Sequence, residues 1–110
     1  MRLTGPLACL FVGTIAILAA CRDKPDRSPQ ILATVAKDLP IGTTRDTVRA
    51  YFQPAPFGEE QMGDDGGAIL VLIRNVRVET PVGWHLRLRF EFDNNGRLNQ
   101  MKATTDATGP

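Results

Sequence analysis

Residues 84–93 (WHLRLRFEFD) alternate without a slip: Trp84, Leu86, Leu88, Phe90 and Phe92 fall on one side, His85, Arg87, Arg89, Glu91 and Asp93 on the other. A period of two is the repeat of a β-strand, whose successive side chains point to opposite faces. The segment therefore reads as an antiparallel strand with one buried and one polar face. Such a strand cannot stand alone. The rest of the chain must supply partners for its edges and a cover for its apolar face.

Partners lie on both sides. Residues 68–79 (AILVLIRNVRVE) are rich in β-branched side chains, first nearly all apolar and then alternating, with a phase change or bulge expected at Asn75. Thr80, Pro81, Val82 and Gly83 connect this strand to the next, and Asn94-Asn95-Gly96 is a short-hairpin signal leading to a last strand over about residues 97–103. Residues 105–110 are expected to form a flexible tail.

The cover is helical. Ser28-Pro29 suits a helix start, Ile31, Leu32, Val35, Ala36 and Leu39 follow at helical spacing, and Pro40 ends the run. Thr43 with Asp46 three residues later resembles a capping box for a second helix, on which Val48, Tyr51 and Phe52 form an apolar stripe that Pro54 and Pro56 stop. Residues 58–67 (GEEQMGDDGG) show no periodicity and read as a mobile surface loop. The expected fold is α+β: two short N-terminal helices packed on a three-stranded antiparallel meander.

The N-terminal stretch is of another kind. After Arg2, residues 7–20 (LACLFVGTIAILAA) are uncharged and apolar, and too short for a spanning helix, which needs about 18 residues or more. Residues 1–20 read as a signal peptide. Leu18-Ala19-Ala20-Cys21 resembles the lipobox of bacterial lipoproteins, which implies cleavage between Ala20 and Cys21 and lipidation of Cys21 by a diacylglycerol and an N-acyl chain. Cleavage after Ala20 by an ordinary signal peptidase is the competing reading. Residues 21–27 are mixed in charge and contain Pro25, as a membrane-proximal tether would, leaving a domain over residues 28–104. Several acyl chains hold a protein at a bilayer firmly, since each buried methylene contributes about 0.8 kcal/mol. Family knowledge links Asp after the lipidated cysteine to inner-membrane retention. Arg22 here implies the outer membrane, with the domain facing the periplasm.

With Cys9 removed and Cys21 occupied, no thiol remains for a disulfide, so the domain must rely on packing or on a partner. Removing Arg2 from the 13 basic residues leaves as many as the 12 acids, and this balance argues against a nucleic-acid partner.

Ile41-Gly42-Thr43-Thr44, then Asp46, Val48 and Tyr51-Phe52, a Pro/Gly loop, and strands ending in Phe92-Asp93-Asn94-Asn95-Gly96-Arg97-Leu98 together resemble the SmpA/OmlA (BamE-like) lipoproteins over most of residues 39–103. That resemblance implies a small helix–sheet domain, of an architecture related to β-lactamase-inhibitor-like modules. The helix ends in Gln53-Pro54 where the family has Gly-x-Pro, and the acidic stretch at 58–67 is an added feature.

Enzymatic constellations are scarce. His85, on a polar strand face, would need an orienting acid to act as a general base. Glu59, Glu60, Asp64 and Asp65 could gather around Ca²⁺, but their spacing matches no EF-hand loop. The expectation is no catalysis, no metal, no small-molecule substrate and no cofactor beyond the acyl chains on Cys21. Arg77, Arg87 and Arg89 are the candidate anion- or partner-binding residues, because arginine makes forked contacts with carboxylates and phosphates. Glu79 and Glu91 nearby support a plainer reading, an exposed ladder of mixed charge. Two functions follow as expectations: a lipid-anchored module that binds another envelope protein in outer-membrane assembly or integrity, or a periplasmic inhibitor or immunity protein whose acidic loop enters a hydrolase or toxin.

Overall fold

The computed structural model describes residues 23–108. Helices α1 (Ser28–Asp38) and α2 (Arg45–Phe52) precede strands β1 (Glu60–Asp65), β2 (Ala68–Glu79), β3 (Val82–Phe92) and β4 (Leu98–Thr108). The strands form one antiparallel sheet in the order β1-β2-β3-β4. Both helices cover the same face. Ile31, Val35 and Leu39 of the first helix and its exit, with Val48 and Phe52 of the second, pack on Ile69, Val71, Ile73, Leu86, Leu88 and Phe90. Phe90 is fully buried against Phe52, ring centroids 5.5 Å apart; burial of an aromatic ring of this kind is worth about 3–5 kcal/mol against alanine.

The expected three-stranded sheet is corrected to four. Residues 58–67 are not an unstructured loop, because Glu60–Asp65 pairs with β2 from Glu60↔Ile73 to Asp65↔Ala68. Gly66 (φ +57°) and Gly67 (φ +94°) close a two-residue turn in which both central residues are left-handed, the geometry that matches strand twist in hairpins. This edge strand escapes a periodicity reading because backbone ladders hold it, and Met62 is its one apolar side chain on the core. β4 likewise runs on to Thr108, past both the expected strand end near 103 and the expected tail start at 105, since Gly83↔Thr108 is still in register.

Each helix start shifts by one residue. The N-cap of α1 is Arg27, not Ser28, and its side chain makes no capping bond; just before it Asp26 Oδ1 accepts from the Ser28 N–H at 2.9 Å, a bond that holds the Asp26 carboxyl below its ordinary pKa. Thr44, not Thr43, caps α2 by accepting from the Thr47 N–H at 3.3 Å, while the Thr43 hydroxyl donates to the Pro40 carbonyl at 2.6 Å. The bulge expected at Asn75 is present: Asn75 has φ +55° and the register jumps between Ile73 and Arg77.

β1 flanks only the first half of β2. Beyond the bulge the same edge is covered by the chain's own N-terminal segment. Lys24 exchanges two backbone hydrogen bonds with Val78, each 3.0 Å, and the Arg27 N–H donates to the Val76 carbonyl at 2.8 Å. The described part of the 21–27 stretch is thus laid along the sheet.

Candidate functional site

The sheet face that carries no helix holds an open groove. Registered rows build it. Gly63, Leu70, Arg89 and Lys102 form one row across β1 to β4, and Gln61, Leu72, Arg87 and Thr104 the next. Leu70 and Leu72 are half-buried although they point away from the helices. They floor an open groove of about 720 Å³ rimmed by Gln61, Arg87, Arg89, Lys102 and Thr104. Gly63 leaves Leu70 uncovered, and a Cβ added there would meet nothing within 4 Å. An apolar floor with a charged rim is the anatomy of a protein-binding patch.

The three arginines singled out above do not come together. Arg87 and Arg89 share the groove rim, whereas Arg77 lies on the opposite face, its guanidinium 4.4 Å from the centroid of the half-buried Trp84 ring. Between Ile73↔Leu86 and Arg77↔Trp84, β2 takes four steps while β3 takes two. The bulge therefore adds two residues, and the original phase returns at Arg77. Each arginine has a carboxylate partner: Arg77 pairs with Glu79, Arg87 with Asp106, and Arg89 with Asp65 at 2.7 Å and Glu91 at 2.9 Å. The bond from Arg89 holds the Glu91 carboxyl below its ordinary value, and Lys102 adds to this at 3.5 Å. Exposed pairs of this kind are worth about 0–1 kcal/mol each, so an incoming carboxylate can exchange for one at little cost.

The acids at 59–65 do not gather. Asp64 pairs with Arg49 at 2.8 Å, Asp65 with Arg89, and Glu60 accepts from the Phe57 N–H. No cluster of three or more metal-ligating side chains occurs among the described residues. His85 is a structural link: its Nδ1 accepts from the Asn75 N–H at 3.0 Å and its Nε2 faces Thr108 Oγ1 at 3.1 Å, so the bulge and the end of β4 are tied through a ring with its proton on Nε2.

Leu70 and Leu72 are the groove residues that sequence reasoning passed over. Their signal was the unbroken run AILVLI at 68–73, since a strand apolar on both sides meets apolar surroundings on both sides. Ala20, Cys21 and the signal peptide lie outside the described residues. Among the described residues no helix is long and apolar enough to cross a membrane. Comparison with known protein families, with curated proteins and with solved structures returns no match to this chain.

Proposed function

We propose that this chain is a non-catalytic envelope lipoprotein, anchored to the outer membrane through acyl chains on Cys21, whose domain docks an envelope protein on the helix-free face and so serves outer-membrane assembly or integrity. The observation that carries the docking role is the Leu70–Leu72 groove with its Arg87, Arg89 and Lys102 rim. The anchor rests on the lipobox-like residues 18–21, and the SmpA/OmlA-like order of motifs over residues 39–103 agrees with the same role. The partner segment it suits is extended, with apolar side chains for the floor and carboxylates for the rim. The inhibitor reading needs a free acidic loop, and residues 60–65 are instead strand β1, paired along β2.

The test uses Gly63→Phe, opposite Leu70 in the ladder, where a Cβ meets nothing within 4 Å and the backbone is not left-handed. A photo-crosslinker at Leu72 in growing cells should trap one envelope protein, identified by mass spectrometry, and Gly63→Phe should abolish the adduct while thermal stability holds. A Leu72 adduct that survives Gly63→Phe would refute the groove as the docking site. For the anchor, a lipid-dependent shift in size is expected in the native chain and absent in Cys21→Ser.

A further inference from the structure

The described chain emerges at Asp23, directly beside the β2–β3 turn. The Asp23 carboxylate accepts from the Thr80 N–H at 2.9 Å and the Thr80 hydroxyl at 3.0 Å, and Lys24 is bridged to Val78. Only Arg22 stands between Asp23 and Cys21. Two extended residues reach at most about 7 Å. We infer that this end of the molecule, the Thr80–Val82 turn with Lys24 and Trp84, rests against the phospholipid headgroups, with the strands standing away from the bilayer. The inference rests on the lipidation of Cys21 proposed above.

The chemistry of that end fits a headgroup layer. Lys24, Thr80 and Pro81 are exposed, Val82 and Trp84 are half-buried, and Arg77 stacks on the Trp84 ring. Tryptophan and the long cationic side chains combine an apolar body with a polar tip, which suits them to the boundary between acyl chains and water. A consequence follows for the groove. Arg87 and Arg89 lie five and seven residues along β3 from Val82, so at about 3.3 Å per residue the groove opens sideways at most roughly 23 Å above the headgroups. A protein held at the same membrane would be presented to it at that height.

Trp84 is the single tryptophan, so its emission reports this contact directly. Full-length protein purified from membranes is reconstituted in phosphatidylcholine vesicles containing lipids spin-labelled at the headgroup or deep in the chain. The expected result is a blue shift and strong quenching by the headgroup label, weaker quenching by the deep label, and neither with Cys21→Ser added to the same vesicles. Protein that floats with vesicles in a Cys21-dependent way but keeps the unquenched emission of Cys21→Ser would overturn the orientation and leave the anchor standing. Flotation indifferent to Cys21 would overturn the anchor, and the orientation with it. A flexible insertion between Arg22 and Asp23 provides a second check, since it should relieve quenching without loss of flotation. Quenching that persisted after the insertion would refute the short reach as its cause.

Discussion

Gly83 shows how one missing side chain sets a geometry. A Cβ built there would lie 2.6 Å from Asn75 Oδ1, so the Asn75 side chain occupies the space that any other residue at 83 would need. Because the crowding atom is the end of a side chain that can turn away, Gly83→Ala is expected to lower stability by about 1 kcal/mol or less, measured as a slightly lower urea midpoint. Glu60 offers a test by pH. Burial raises its carboxyl above the ordinary 4.5, and the bond from the Phe57 N–H only partly offsets this. A folded-state pKa above the unfolded one contributes stability that is complete below the unfolded value and is lost as pH rises through the folded value. Ionised Glu60 therefore weakens the fold at neutral pH. Glu60→Gln, which can still accept from Phe57, should gain on the native protein between about pH 4 and about pH 7 in urea titrations, as linkage requires. A constant difference across that range would show that Glu60 is not the responsible group. Asp26 and Glu91 carry the opposite sign: their lowered values stabilise above the ordinary carboxylate range, and that contribution fades as pH falls.

Among the elements, the alternation of β3 was legible in the sequence, though the strand runs Val82–Phe92 and not 84–93, and β1 was not legible, for one physical reason. β3 is central and packs a full apolar row on the helices, so selection for burial writes a period of two into it. β1 is an edge strand with five polar or glycine residues out of its six, stabilised by main-chain pairing that leaves no such trace. The trace it did leave was Gly66-Gly67. Gly67→Ala meets no close contact beyond Arg45 Nη2 at 3.7 Å but must hold φ +94°. It should cost on the order of 1 kcal/mol or more from backbone conformation alone, and hydrogen exchange should show β1 amides opening first. The helix starts moved because Thr43 and Thr44 are both hydroxyls and either could cap. Only the path of the chain, with the Leu98 N–H donating to the Thr43 carbonyl at 2.7 Å, selects Thr44.

For the molecule as a unit, the N-terminal segment matters most. It finishes the β2 edge that β1 leaves open, so a stretch that reads as a linker is also a structural strap. Lys24→Pro removes the donor to the Val78 carbonyl and should cost about 1 kcal/mol, with faster exchange at the Val78 amide and little change in the β3 and β4 amides. Equal acceleration throughout the sheet would show instead that the strap unfolds only with the whole domain. Under the anchoring proposed at Cys21, the strap would fix which end of the sheet faces the membrane.

Alternation and caps are local, so residues 84–93, the existence of two helices and the bulge at Asn75 could be read from the chain alone. The fourth strand, the separation of Arg77 from Arg87 and Arg89, and the groove over Leu70 and Leu72 were settled only in three dimensions. Each depends on which strands become neighbours and on how many residues the bulge inserts. Pairing distant strands is decided by the summed burial of the whole core, and no short window of sequence carries that sum.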